Sequence, residues 1–543
     1  MGKWQSKYEL KELLCNLVQY QSITGSREEI AIIEYIYNLL HQEEYFKTHS
    51  NHIKISPLED GRELLTALVK RGTKKKTIIL LSHIDVVDVD DYGSYKDLAF
   101  RPNELTKKLK EEETELPDEA RRDLLNSKES WLFGRGTMDM KAGTSLHMSM
   151  LEQAMEEEFD GNILLLVVPD EEANSLGMLE ATKVLKELEK EEDLEYILCL
   201  NSEPMFRQFP EDDKMYLYSG SLGKILPGFL CYGKETHVGE PYHGLNANLM
   251  SSYLNKNLEL NQTFVEKINS EVTPPPISLM NRDLKEQYSV QTPLTAVSMY
   301  NVLFMKQSVE DITKKLRDVM TKTAKEVKQH MNQSATQYFG DSSTKNMLLQ
   351  TDISVFDFHD LYKIAEERYG KHEVERRHNL LVKERNHGDR DFSTLLVQDL
   401  AYMCKDLAPM IVLFYSPPFY PAVTSSQNKK VQSLLDETEE HMNKQFNRKA
   451  SIAAYFNGIS DLSFIGEDAQ GDKDYYFLKE NMPLEKIELS YLQEVEYSIP
   501  TANIGPLGKD AHQWTERLEV NYSFNELPHI LTYAIKQAFQ QER

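Results

Sequence analysis

Three near-continuous apolar runs constrain this 543-residue chain more than any other feature. They are Thr77-Ile-Ile-Leu-Leu-Ser-His83, Asn162-Ile-Leu-Leu-Leu-Val-Val168 and Glu195-Tyr-Ile-Leu-Cys-Leu200. Apolar runs this long, without polar alternation, suit strands covered on both faces. Between them, residues 139–158 place Met148, Leu151 and Met155 on one helical stripe. Residues 175–191 do the same with Leu176, Leu179, Ala181, Val184 and Leu188. Strand–helix–strand alternation predicts an α/β layer built on a mostly parallel central sheet.

The middle of the chain reads differently. From about Gly220 the strand runs shorten, Pro274-Pro275-Pro276 interrupts the pattern, and residues 332–388 are rich in charge. This predicts a separate α+β module inserted into the first domain. Apolar strand signal returns at Met410-Ile-Val-Leu-Phe-Tyr415 and leads to a C-terminal helix. The expected organisation is one domain from residues 1–218 and 400–543, with an enlarged module at 219–399 between its halves.

Charge and run length narrow the function classes. Lys plus Arg against Asp plus Glu gives 62 − 87 = −25, a field that repels phosphate backbones and anionic lipid, so neither nucleic acid nor membrane is an expected partner. No apolar run approaches the ~20 residues a bilayer requires, and no signal-peptide pattern opens the chain. Cys15, Cys199, Cys231 and Cys404 lie far apart with no C-x-x-C pair. They read as reduced thiols of a cytoplasmic protein.

The chemistry-bearing residues gather at the ends of the strand runs. His83-Ile-Asp85 closes the first, Asp170-Glu171-Glu172 the second and Glu203 the third, while Asp139 follows the turn Gly134-Arg135-Gly136 and opens a helix. Ligands of open α/β sheets collect at the carboxyl edge of the strands. Carboxylates stacked there repel one another unless cations sit among them. Histidine plus carboxylate without thiolate suits zinc, manganese or cobalt. The dinucleotide fingerprint, the P-loop and H-E-x-x-H are all absent from the sequence.

In this order the residues resemble the co-catalytic zinc metallopeptidases of the aminoacylase, glutamate carboxypeptidase and succinyl-diaminopimelate desuccinylase type. The matching motifs are His83-x-Asp85, Gly134-Arg-Gly-x-x-Asp139-x-Lys141-x-Gly143, Asp170-Glu-Glu172, Glu203-Pro204 and a late His512. Residues 233–247, with His237 and Asn246, resemble the family's lid motif. The resemblance implies a zinc-exopeptidase-like catalytic domain, an inserted lid domain, and a homodimer formed through that lid. Three further segments resemble the family's arginine-utilisation branch: Asn457-Gly-Ile-Ser-Asp461, Ser416-Pro-Pro-Phe-Tyr-Pro421, and the run from Asn503 to Arg517 that holds His512 and Glu516. That branch implies a role in arginine catabolism.

Carried over position by position, the resemblance gives one metal ion to His83 and Glu203, a second to Glu172 and His512, and Asp139 to both. Two divalent ions, zinc first and cobalt or manganese as substitutes, would share a hydroxide and polarise a carbonyl. Asp85 would fix the His83 tautomer, Glu171 would act as general base, and His237 would stabilise the oxyanion. A cis peptide after Asp139 is implied too. Ser460, Asp461 and Asn246 fall in substrate-contacting segments; Asp461 would favour a cationic group such as a guanidinium. Where the family's lid offers an Arg, this chain has Tyr300-Asn-Val-Leu-Phe-Met-Lys306, whose lysine is only a point charge. The expected function is amide-bond hydrolysis on a small amino-acid-derived substrate, by an exopeptidase or N-acyl-amino-acid deacylase. Its rivals are a dipeptidase and a metal-poor, non-catalytic relative used for regulation or binding.

Overall fold

A computed structural model of the chain describes residues 2–126, 128, 130–207, 209, 212, 214–340, 350–467, 473–487, 492 and 497–541. It divides into two compact units. Unit 1 comprises Met1–Leu222, Ala422–Ala469 and Val495–Arg543; unit 2 comprises Gly223–Pro421 and Gln470–Glu494.

Unit 1 is built on an eight-stranded sheet. Its strands are β1 (Ile53–Pro57), β2 (Glu63–Val69), β3 (Lys76–His83), β4 (Asn162–Val168), β5 (Glu195–Asn201), β6 (Met215–Tyr218), β7 (Ala450–Ala453) and β8 (Thr501–Asn503), in the order β1-β2-β4-β3-β5-β8-β6-β7. The central neighbours β4, β3, β5 and β8 run parallel, whereas β2 pairs antiparallel with both β1 and β4. The three apolar runs are therefore central strands, as their lack of alternation predicts. Every residue of β4 is buried. Each fully buried Leu or Ile in such a strand contributes on the order of 2 kcal/mol against chain entropy.

Register decides what reaches the carboxyl edge. His83 pairs with Val168, and Leu81 pairs with Asn201. His83 thus ends level with the last residue of β4, and Glu203 lies two residues beyond the last of β5. Helix α1 (Glu28–His41) packs against β2, and helix α2 (Lys141–Met155), buried on almost every side, fills the space between the sheet and the helices Lys7–Val18 and Leu527–Gln540. Helix α3 (Leu176–Glu191) follows the acidic turn after β4.

Unit 2 holds a five-stranded sheet in the order Ile277–Asp283, Thr295–Phe304, Gly223–Tyr232, Met410–Tyr420, Ser354–Asp357. All pairs are antiparallel except the last. The second boundary of the insertion falls later than the sequence suggests. Strand Met410–Tyr420 pairs with Gly223–Tyr232 along most of its length, so the chain leaves unit 2 only at Ala422, not near residue 400, and it returns to unit 2 at 470–494. An apolar strand run reports burial without saying which sheet buries it. Helices Phe358–Tyr369 and Asp389–Met403 cover one face through Phe358, Leu361, Val397 and Leu400 against Leu230, Val412 and Phe414.

His378, on helix Lys371–Lys383, is 1% exposed and has no hydrogen-bond partner for Nε2 among the described residues. Burial pulls its pKa down from 6.5 to about 4. The neutral ring therefore contributes stability that is present above pH 6.5 and lost as pH falls through 4. At ~1.4 kcal/mol per unit the loss approaches about 3 kcal/mol. A His378→Phe variant is expected to show a correspondingly flatter decline in urea stability between pH 7 and 4. Parallel declines for parent and variant would show that the ring is not held neutral.

All four cysteines are buried and free. Among the described residues no helix is long and apolar enough to cross a membrane.

Candidate active site

The site is assembled at the carboxyl edge of the unit 1 sheet. His83, the last residue of β3, is 2% exposed. Its Nδ1 donates to the Asp85 main-chain carbonyl at 3.1 Å and lies 3.5 Å from the Asp85 carboxylate. That fixes the proton on Nδ1 and leaves Nε2 facing Asp139 Oδ1 at 3.3 Å, Glu203 Oε1 at 3.5 Å and Glu171 Oε2 at 4.0 Å. On the far side of Asp139, Oδ2 lies 3.3 Å from His512 Nε2, which also meets Glu172 Oε1 at 2.9 Å. Asp139 thus turns one oxygen to each histidine, and the Asp139–Met140 peptide is cis.

Asp85 does more than orient His83. Its Oδ1 accepts the Glu171 amide at 3.0 Å, and its Oδ2 accepts the Glu172 amide at 3.1 Å and the Thr24 hydroxyl at 2.8 Å. The turn carrying both glutamates is thereby gathered onto the β3 edge.

Two close approaches hold the Glu203 segment in place. A Cβ on Gly143 would sit 2.4 Å from the Ser202 carbonyl oxygen, so α2 can lie against the end of β5 only with glycine there. A Cβ on Gly505 would sit 1.7 Å from the Glu203 carbonyl oxygen. The Asn503 side-chain amide donates to that same carbonyl at 3.1 Å.

The electrostatics show a site short of positive charge. Burial pushes Glu171 and Glu203 well above the usual carboxylate range and raises Glu172 as well. Burial opposes a proton on His83, yet Glu203, Asp139 and Asp85 outweigh it and hold the imidazole well above its ordinary value. At His512 burial is likewise outweighed, by the hydrogen bonds that its ring donates to Asp139 and Glu172, and the pKa is raised to about 11. Three buried acids, Asp139, Glu171 and Glu203, and the partly buried Glu172 face two imidazoles and draw protons onto both rings; divalent cations answer the same demand. The donor set of oxygens and imidazoles, with no thiolate, fits zinc, cobalt or manganese. One ligand atom each from His83, Asp139 and Glu172 lie within 4.8 Å of one another.

Other residues singled out by sequence take different places. Ser460 is fully buried, its Oγ accepting from Asn201 Nδ2 at 3.0 Å and from the Leu462 amide at 3.2 Å. Asp461 is 2% exposed, and burial raises its pKa to about 7. His237, Asn246 and Lys306 belong to unit 2. His237 is exposed, and its Nδ1 accepts the Gly239 amide at 3.1 Å, which sets the ring with its proton on Nε2. Asn246 caps helix Ala247–Leu258 by accepting the Asn248 amide at 2.9 Å. Lys306 is exposed.

Sequence reasoning gave no role to two buried supports. Arg135 donates to Glu516 Oε2 at 2.8 Å, and Glu516 Oε1 accepts the Met138 amide at 3.3 Å. This pair ties the Asp139 turn to the segment bearing His512. Both residues stand inside recognised motifs, but nothing local indicates a partner 381 positions away. Glu29 and Arg62 are the second support, and no motif marks them.

A sequence profile of peptidase family M20/M25/M40 matches residues 79–488. Protein YqjN of Bacillus subtilis (strain 168) is 47% identical over 541 residues, covering 99% of this chain and 98% of its own. Protein RocB of the same organism is 26% identical over 552 residues, covering 98% of this chain and 95% of its own. Among solved structures, a tripeptidase from Staphylococcus aureus subsp. aureus Mu50 superposes with a TM-score of 0.53 at 14% identity, covering 99% of this chain and 100% of that one. That last likeness is one of fold.

Proposed function

The chain belongs to peptidase family M20/M25/M40 and is a hydrolase of peptide or amide bonds, and on that footing we propose that it works through two divalent ions, zinc first. His83 and Glu203 would hold one ion, Glu172 and His512 the other, and Asp139 both. The observation that carries this reading is Asp139 itself, whose two oxygens each lie 3.3 Å from the Nε2 of a different histidine. Bound there, the ions would supply Lewis acidity to a substrate carbonyl and lower the pKa of water.

The remaining work falls to the protein. Glu171 is buried, lies 4.0 Å from His83 Nε2 and is held well above the usual carboxylate range by burial. Such a carboxylate accepts a proton from the attacking water and releases it to the departing nitrogen. The His83–Asp85 contact keeps the imidazole in the tautomer that offers Nε2 to a cation. The carboxylates and His83 are shielded from bulk water, so charges in the site act through a low dielectric. His512, its side chain 47% exposed, forms the open rim.

The substrate we propose is a small arginine-derived amide, an N-acyl-arginine or an arginine dipeptide. The similarity to RocB and the net charge of −25 support a cationic substrate. Direct contact with Ser460 or Asp461 would require their cover to open, since both are buried.

The test pairs metal content with hydrolysis of N-acyl-arginines, arginine dipeptides and acyl-ornithines. About two ions per chain with turnover on at least one class is the expected result. Two ions with no turnover would reject the arginine assignment. No metal after reconstitution would leave the non-catalytic relative as the surviving reading.

A further inference from the structure

Three consecutive amides of the acidic turn after β4 are taken by buried carboxylates. Glu171 and Glu172 donate to Asp85, while Asp170 donates to Glu29 Oε1 at 3.1 Å. Asp85 adjoins His83, but Glu29 comes from the first turn of α1 and stands outside the metal-ligating set. It also accepts the Gly25 amide at 2.6 Å.

Asp170 has φ of 73°. A residue with a Cβ holds that left-handed conformation only when its surroundings impose it. Here Arg62, just ahead of β2, imposes it. Its Nη1 donates to Asp170 Oδ1 at 2.6 Å and approaches the two Glu29 oxygens at 3.3 and 3.4 Å, while Nε donates to Asp60 Oδ2 at 2.8 Å. Asp170 Oδ2 accepts the Leu176 amide at 3.0 Å, which joins the turn to the start of α3. Arg62 is 9% exposed, Asp170 3% and Glu29 0%. Two acids buried side by side repel each other, and the guanidinium shared between them is what lets both stay there.

We propose that Arg62 and Glu29 are positioning residues for the metal centre and for the proton carrier. Together they hold Asp170 left-handed, and Asp170 in turn aims Glu171 into the site and Glu172 at His512. Neither residue touches the reacting atoms. The inference rests on the two-metal reading above and extends it to residues that no motif marks.

Substitutions at these positions separate positioning from mere support. Lysine at position 62 keeps the charge but cannot span Asp170, Glu29 and Asp60 at once. Leucine at position 29 removes the acceptor for the Asp170 amide; glutamine keeps one. The experiment is calorimetric Zn2+ titration and Co2+ absorption spectroscopy on the full chain, well below the melting temperature, with kcat and KM on whichever substrate the panel yields. Leu40→Ala, buried on the same helix as Glu29, serves as a destabilised control.

Arg62→Lys and Glu29→Leu are expected to weaken at least one Zn2+ site by about 10- to 100-fold, the usual effect of losing an outer partner. They should also shift the Co2+ bands and lower kcat with little change in KM. Glu29→Gln should recover most of what Glu29→Leu loses. Leu40→Ala should melt earlier with parental affinities and spectrum. If Arg62→Lys and Glu29→Leu merely melt earlier, with parental Zn2+ affinity and Co2+ spectrum, the proposal is overturned. Should one of them not fold, the other decides by the same readouts, and failure of both to fold would mark the pair as structural and overturn it. A parent chain that binds no metal would sink the two-metal reading itself, and this inference with it.

Discussion

Glu171→Gln is expected to reduce turnover by roughly 10²–10⁴-fold, the contribution of a positioned proton carrier, while the chain keeps its full complement of metal. The amide fills the same space but cannot take a proton from water. Metal binding should survive because the proposed ligands are the neighbouring Glu172 and the groups around Asp139, whereas Glu171 Oε2 lies 4.0 Å from His83 Nε2. The metal-free variant should be at least as stable as its parent near neutral pH. Burial, together with Glu172, Asp461 and Glu203, works against a charge at position 171, and His83 opposes them without outweighing them; a neutral amide relieves that repulsion. Steady-state kinetics, metal analysis and thermal melting of one preparation check all three points. Turnover within about tenfold of the parent would remove Glu171 from the role of general base.

Asp139→Ala should have the larger effect on metal. Both histidines address this one carboxylate, one through each oxygen, so on the proposed two-metal reading its loss would strip a ligand from both ions. Zn2+ affinity is expected to fall by more than the ~100-fold that marks the loss of an outer-shell partner, at both sites together, and activity with it. His512→Ala, by contrast, should weaken one ion and leave the group around His83 intact. Calorimetric titration of the two variants distinguishes a shared bridge from two independent sites. If Asp139→Ala lost only one ion, the bridging assignment would be wrong.

Much of this architecture was legible beforehand. Unbroken apolar runs correctly indicated central strands, and strand–helix alternation correctly indicated an α/β fold with a mostly parallel centre; the flanking antiparallel strands β1 and β2 were not foreseen. The family resemblance, which rested on His83-x-Asp85, the Asp139 turn, Asp170-Glu-Glu172, Glu203 and His512, agrees with the family match. His83, Asp139, the Asp170–Glu172 run and Glu203 were readable because each lies at or just beyond a strand end or just ahead of a helix, whereas His512 lies in a turn and was marked by the resemblance alone.

The second boundary of the insertion was misplaced for a corresponding reason. Met410–Tyr420 is as apolar as any strand of unit 1, and only its pairing with Gly223–Tyr232 reveals which sheet owns it. The motif that marks Ser460 also left its interior partner Asn201 unnamed, because a motif marks a position without saying which neighbours surround it.

The sequence by itself determined which residues could form the chemistry and on which edge of the sheet they would lie, since burial periodicity and strand polarity are local properties. Tertiary structure decided how the charges are balanced. Arg62 reaches Asp170 across 108 residues and Arg135 reaches Glu516 across 381, and Asp139 is shared between histidines that approach it from distant parts of the chain. A buried acid requires a specific counter-charge within a few ångströms, and only the closing of the sheet edge selects which one it meets.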